Sequence, residues 1–193
     1  NCIRLMPVSL RYIYGKSPMK TKNDGELPLR TAYKKISISN GLVKHDLCIE
    51  IAYQKEIVYK VNAVEEQKET PLPDSFAQKV FFELAEFFSG KRKEFTFSVC
   101  FQGTEFQCRV WQEIAKIPYG RTISYAELAK RAGNPKACRA AARACHDNPL
   151  AFCVPCHRVI AKNGSIGGYG YGTVMKSALL NMERNMEKYN DNG

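Results

Sequence analysis

The stretch Thr122-Ile123-Ser124-Tyr125-Ala126-Glu127-Leu128-Ala129-Lys130-Arg131-Ala132-Gly133-Asn134-Pro135-Lys136-Ala137 decides how the carboxyl-terminal half of the chain reads. Ser124 followed by Glu127 is a capping box, in which the hydroxyl accepts from the Glu127 N–H and the carboxylate reaches back to the cap. A helix of about two to three turns is predicted to Ala132, where Gly133-Asn134-Pro135 breaks it. Pro135 suits the start of a second helix, Lys136 to about His146, because its missing N–H costs nothing there. Two short helices joined by a glycine-containing turn form a helix-turn-helix.

The second helix is unusual for a reader of base edges. Lys136, Arg139 and Arg143 share roughly one face, while Ala137, Ala140, Ala141, Ala142 and Ala144 leave the rest nearly bare. No amide side chain is available to pair with bases in the major groove. Small side chains permit close backbone approach, which suits a minor-groove contact with Arg139 as a wedge. An alanine-rich packing helix with solvated arginines is the plain alternative.

Working outward, Thr104 caps a helix with Phe106, Val110, Trp111, Ile114 and Ala115 on its apolar side, ended by Pro118-Tyr119-Gly120. Residues 30 to 64 run in β-branched and aromatic residues with an Asn40-Gly41 turn signal, which predicts an antiparallel sheet. Glu65 to Pro73 reads as a loop. Asp74 or Ser75 then caps a helix carrying Phe76, Val80, Phe81, Leu84, Phe87 and Phe88, closed by Gly90. Lys91-Arg92-Lys93 is a solvated link, and Phe95 to Phe101 a strand or extended connection. The expectation is an α+β (α/β) chain: a sheet-and-helix domain over 1–93, a connection at 94–102 and a mainly helical domain over 103–193.

The formal net charge is +10, and the basic residues concentrate between Arg121 and Arg158. Phosphate backbones are the natural partner of such a surface, with plain solubility the alternative. No apolar run is long enough to span a bilayer and no signal peptide opens the chain, so an intracellular protein is expected. The eight cysteines are then expected to be reduced thiols rather than a disulfide framework.

Beyond the two helices comes Val154-Pro155-Cys156-His157-Arg158-Val159-Ile160. Cysteine is nucleophilic as the thiolate, and Arg158 and His157 are candidates to raise the thiolate fraction of Cys156. A small buried hydrophobe is the usual fate of a free cysteine.

Taken together, the helix-turn-helix, the turn Asp147-Asn148-Pro149 and Pro155-Cys156-His157-Arg158-Val159-Ile160 resemble the O6-alkylguanine-DNA alkyltransferase family. The likeness extends through Ile123-Ser124-Tyr125, Gly133-Asn134-Pro135, the Gly164 to Gly168 loop and Leu179-Leu180-x-x-Glu183, roughly Phe106 to Glu183.

The resemblance implies a ribonuclease H-like amino-terminal domain and a winged helix-turn-helix carboxyl-terminal one. It implies stoichiometric, irreversible transfer of an alkyl group from O6 of a flipped guanine, and also from O4 of thymine, to Cys156. His157 is then the base acting through a water, Glu183 its orienter, Tyr125 the proton donor to the departing base, and Asn148 a positional hydrogen-bonding group. Arg139 fills the gap left by the extruded base. Gln107, Tyr125, Ala126, Asn134, Lys136, Arg143 and Lys162 contact DNA, with Gln107 and Lys162 the loosest matches. Val154, Pro155, Val159, Tyr169 and Gly170 line the alkylguanine pocket.

The implied partner is double-stranded DNA held through the minor groove by a monomer, with cooperativity on DNA left open. No cofactor is required, and a structural zinc in the amino-terminal part is left open, although Cys2, His45 and Cys48 make a poor set. The compartment would be the nucleus in a eukaryote and the cytoplasm in a prokaryote. The chain departs from the family pattern at Tyr169-Gly170-Tyr171-Gly172 and at Ala151, where some members carry a proline, which suggests a wider or more mobile pocket.

Other readings remain. Cys153-Val154-Pro155-Cys156 is a C-x-x-C, as in thioredoxin-like redox sites, but His157-Arg158-Val159-Ile160 looks like a strand where such a site needs a helix. Cys145, His146, Cys153, Cys156 and His157 could form a zinc site. A lesion-binding sensor without transfer is the third.

Overall fold

The structure, a computed structural model, describes residues 11–14, 28–39, 44–66 and 68–190. The chain divides into two compact units, residues 1–102 and 103–193. The Asn40-Gly41 turn and Cys2 lie outside the described residues.

The first unit is built on a five-stranded sheet of order β1-β5-β4-β3-β2. Strands β2 (Arg30–Ser39), β3 (Lys44–Gln54) and β4 (Ile57–Val64) form the antiparallel array that the β-branched runs predict, with an irregularity between Ala52 and Tyr53. β5 (Ser98–Phe101) runs parallel to both β4 and β1 (Arg11–Tyr14). β1 is too short to announce itself by alternation, and only its pairing with β5 reveals it.

Helix α1 (Ser75–Phe88) is capped by Asp74, whose carboxylate accepts from the Ala77 N–H at 2.8 Å. It ends at Gly90, whose φ of 75° is the left-handed conformation that closes helices. The helix buries Ala77, Val80, Phe81, Leu84, Phe87 and Phe88. Alternation along β2 directs Ala32, Ile36 and Ile38 into the core and leaves Lys35 and Ser37 exposed.

In the second unit, α2 (Glu105–Ala115) begins with a reciprocal capping box between Thr104 and Gln107. Gln107 is thus engaged in holding a helix start, and its amide also donates to Asp147 at 3.4 Å. β6 (Ile123–Ser124) leads into α3 (Tyr125–Arg131), where Ser124 Oγ accepts from Glu127 N–H. The Glu127 carboxylate takes Arg131 instead of reaching back, so only half of the predicted box forms.

Helix α4 runs from Cys138 to His146, two residues shorter at its start than the predicted Lys136 onset. Asn134 explains the difference. Its side-chain oxygen accepts from Lys136 N–H and its carbonyl from Ala137 N–H, a turn that competes with the first helical bonds. Lys136 therefore precedes the helix and does not share the face of Arg139 and Arg143.

The Trp111 indole N–H donates to Ala144 O at 2.8 Å and pins α4 to α2. Cys156–Arg158 form a 3₁₀ turn, so of the strand expected over His157 to Ile160 only β7 (Val159–Ile160) is present, paired in parallel with β6. Helix α5 (Gly172–Asn190) completes the unit.

Candidate active site

Every residue from Leu150 to Val159 is buried. The chain reaches this depth through a tight turn in which Val154 N–H bonds Leu150 O and Cys153 N–H bonds Ala151 O. Phe152 takes a left-handed φ of 67°, a conformation that costs a side-chain-bearing residue on the order of 1 kcal/mol or more. Its ring is fully buried and stacks on Tyr171 at 5.4 Å, which offsets that cost. Tyr171 meets Tyr169 edge-on, and Tyr169 meets His157. A chain of rings, Phe152 to Tyr171 to Tyr169 to His157, thus ties the loop to the turn.

Asn148, just beyond α4, organises the turn. Its oxygen accepts from Leu150 N–H at 3.0 Å, and its amide donates to Val154 O at 2.9 Å and toward Cys156 Sγ at 3.4 Å. Burial pushes the Cys156 thiol up, opposed by the Asn148 hydrogen bond and the charge of Lys176. At rest Cys156 is a thiol that needs a base.

Beside it, His157 Nε2 donates to Glu183 Oε1 at 2.8 Å with both side chains fully buried. Arg158 grips the same carboxylate through Nε and Nη2 at 2.9 Å each, and its Nη1 donates to Ile117 O at 2.7 Å. Gly120 N–H adds a bond to Glu183 Oε2 at 3.0 Å. Burial opposes ionisation of Glu183, yet the His157 and Arg158 bonds win and hold its carboxyl down at about 2. Burial also drives His157 below its ordinary value despite Glu183, so at neutral pH the imidazole is in its neutral, proton-accepting form.

This corrects one expectation directly. Arg158 does not serve the thiol; its guanidinium is spent on Glu183 and Ile117. The cation whose charge favours the thiolate is Lys176 of α5, a buried lysine whose own pKa burial pulls below its ordinary value. Its ammonium donates to Val159 O at 2.6 Å and Gly168 O at 3.3 Å and lies 5.7 Å from the Tyr125 ring centre. Val159, which the resemblance places in the pocket lining, thus already accepts from Lys176 with one lone pair of its carbonyl.

Tyr125, at the first turn of α3, donates to Gly168 O at 3.4 Å. Burial, then the neighbouring thiols of Cys145, Cys156 and Cys138, push its hydroxyl up to about 12. It is held protonated, as a proton donor must be. Gly167 lies against this ring with φ at 67°; a Cβ there would stand 3.5 Å from Tyr125.

On the outer side, Ala126, Asn134, Lys136, Arg139, Arg143 and Lys162 are exposed, whereas Ala141, Ala144 and Cys145 turn inward. Arg143 bonds Asp147 at 3.1 Å. Gly170 is exposed, Tyr169 half-buried, and Val154 and Pro155 buried.

Residues 105–185 match the profile of the family described as 6-O-methylguanine DNA methyltransferase, DNA binding domain. A methylated-DNA–protein-cysteine methyltransferase of Methanosarcina acetivorans is 41% identical over 141 residues, which cover 70% of this chain and 90% of that protein. The chain belongs to the methylated-DNA–protein-cysteine methyltransferase family. The crystal structure of the Mycobacterium tuberculosis O6-methylguanine methyltransferase superposes with a TM-score of 0.68 at 35% identity, over 81% of this chain and 94% of that one. A structure of the same bacterium's protein in complex with DNA gives 0.67 at 36% identity, over 80% and 93%. The mixed α+β architecture is the one these methyltransferases share.

In this member of the methyltransferase family the sequence gives no sign of Lys176, and it offers Cys145 only as a zinc ligand, whereas the Cys145 thiol lies among the groups that push Tyr125 up. Lys176 sits in an amphipathic helix where a lysine ordinarily reads as solvated, and only packing shows that it points inward. Among the described residues no group of three or more His, Cys, Asp or Glu is placed to hold a metal, so the zinc reading at Cys145, His146, Cys153, Cys156 and His157 has no support. Cys48, one of the amino-terminal candidates, donates its thiol to Lys68 O. These relatives come from an archaeon and a bacterium, so nothing supports a nuclear location. No described helix is long and apolar enough to cross a membrane.

Proposed function

We propose that this chain repairs DNA by moving an alkyl group from O6 of a flipped guanine, and also from O4 of thymine, onto Cys156 in a single irreversible turnover. The observation that carries the reading is the buried Cys156 thiol flanked by Asn148, Lys176 and the His157–Glu183 pair. With its Nε2 proton donated to Glu183, His157 keeps its lone pair on Nδ1 and takes the thiol proton through a water. The thiolate attacks the alkyl carbon, and the C–O bond breaks with its electron pair going to O6. Tyr125 donates a proton to the base as charge develops, and the proton held by His157 restores the balance. The thioether has no leaving route, so the protein is consumed.

Flipping costs a few kcal/mol of unstacking. Arg139 fills the vacated stack, and Ala126, Asn134, Lys136, Arg143 and Lys162 contact the backbone of a duplex entered from the minor groove. Gln107 adds to this surface from the start of α2. Val154, Pro155, Val159, Tyr169 and Gly170 form the pocket for the extruded base. We read residues 103–193 as a winged helix-turn-helix carrying DNA binding and transfer, and the amino-terminal part as a ribonuclease H-like structural domain; the expected connection at 94–102 gives up Ser98–Phe101 to its sheet as β5. The protein acts as a monomer, without cofactor, in the compartment that holds the DNA.

Incubation with a duplex carrying O6-methylguanine, followed by intact mass and peptide mapping, tests this. A gain of one methyl on Cys156, with no turnover beyond one equivalent, is expected. Tight binding with unchanged mass would leave the sensor reading in its place.

A further inference from the structure

Among the described residues, strand β2 is an edge of the five-stranded sheet, and part of that edge carries no partner. Tyr33 directs its N–H to Thr70 Oγ1 and its C=O to Thr70 N–H, away from β3. Antiparallel pairing alternates, so Lys35 and Ser37, in step with Tyr33, also direct their backbone N–H and C=O groups outward. Thr70 covers the edge at Tyr33; among the described residues no partner covers it at Lys35 and Ser37.

Along this open stretch runs a groove of about 400 Å³ lined by Lys34, Lys35, Ile36, Ser37, Pro73, Gln78, Phe81, Phe82 and Ala85. Lys34 and Ile36 belong to the α1 face of β2 and Lys35 and Ser37 to the opposite face, so a groove touched by both sets follows the strand edge. Its apolar wall comes from α1, where Phe82, 62% exposed, stands beside the buried Phe81. The charged lining residues are two lysines and no carboxylate. Their ion pairs, Lys34 with Glu69 and Lys35 with Asp46, are solvent-exposed and weak enough to be exchanged.

We propose that this edge is a docking site for an extended acidic peptide segment of another protein, which adds a strand beside Lys35 and Ser37. Alternate apolar side chains of the segment enter the groove against Phe81 and Phe82, and its carboxylates meet Lys34 and Lys35. A second copy of this chain would bring lysine against lysine, which the charge disfavours.

Fluorescence anisotropy of the full chain with a labelled peptide of alternating Glu and Val tests the site. We expect saturable binding with a Kd of about 10–100 µM, in the range of small transient interfaces. A peptide with Lys in place of Glu should bind at least about tenfold more weakly. Phe82→Glu removes the apolar wall and should abolish binding without slowing methyl transfer. Ser37→Pro, which deletes one outward N–H at an edge where proline is tolerated, should weaken it by about tenfold. Equal binding of the two peptides, unchanged affinity in both variants, or no binding at about 1 mM would overturn the proposal. So would a dimer in sedimentation that Phe82→Glu dissociates, since the occupant is then a second copy. Slow hydrogen exchange at the Lys35 and Ser37 amides of the free monomer would also overturn it, because another part of this chain would then fill the edge.

Discussion

The His157 imidazole and the Glu183 carboxylate meet at 2.8 Å with neither exposed to solvent. The same carboxylate takes the Arg158 guanidinium and the Gly120 N–H, so α5, the 3₁₀ turn and the loop after α2 converge on two oxygen atoms. A pair of this kind contributes modest net stability, yet removing one partner strands the other buried charge.

Glu183→Gln therefore destabilises the protein by about 3–5 kcal/mol, because Arg158 is left buried without a counter-charge. Urea unfolding followed by circular dichroism measures it. A loss under about 1 kcal/mol would mean that the network does not hold the site together.

Acid should unfold the protein through the same group. A carboxyl held at about 2 instead of its ordinary 4.5 contributes stability that is complete above 4.5 and is lost as pH falls toward 2. The contribution is on the order of 3 kcal/mol. Neutral buried His157 acts with the same sign below its ordinary 6.5. Unfolding free energy that stays flat from pH 6 to pH 3 would contradict the assignment.

Lys176 supports the thiolate from the side where Arg158 was expected. Lys176→Met should move the pH–rate profile for methyl transfer to higher pH and slow transfer near pH 7 by about tenfold or more, because the charge that opposes the burial of the thiol is gone. Ultraviolet titration of the Cys156 thiolate in the same variant separates this from misfolding. An unshifted titration would reduce Lys176 to a packing residue.

Cys156→Ser should keep duplex affinity and lose transfer entirely, since the hydroxyl is a far poorer nucleophile in the same pocket. Comparable transfer by this variant would place the acceptor elsewhere.

Arg139 is exposed on α4. Arg139→Ala should slow transfer from duplex DNA far more than from a free O6-alkylguanine base, because only the duplex must be held open. Equal losses on both substrates would rule out a wedge.

The local elements were legible in the sequence because each carries its own signal. Asp74, Thr104 and Ser124 cap the helices they were expected to cap, and the β-branched runs pair as the expected array. The start of α4 was misread because the Asn134 side chain offers Lys136 N–H a closer partner than a helix would. Strand β1 could not be read at all, since four residues hold no periodicity that a window can detect.

The sequence by itself offered the candidate reactive unit: Cys156 and His157 are chain neighbours, and Asn148 and Glu183 join them only through the resemblance to the alkyltransferase family. Only the tertiary structure decided which cation serves which anion. Arg158 is adjacent to the thiol's partner in sequence but is drawn to Glu183, because a planar guanidinium matches a carboxylate through paired hydrogen bonds. Lys176 is twenty residues beyond Cys156, yet its charge is the one that favours the thiolate, because its ammonium is held inside on the carbonyls of Val159 and Gly168. Residue types and chain spacing fix which groups are available; the desolvated packing of helices fixes which of them meet.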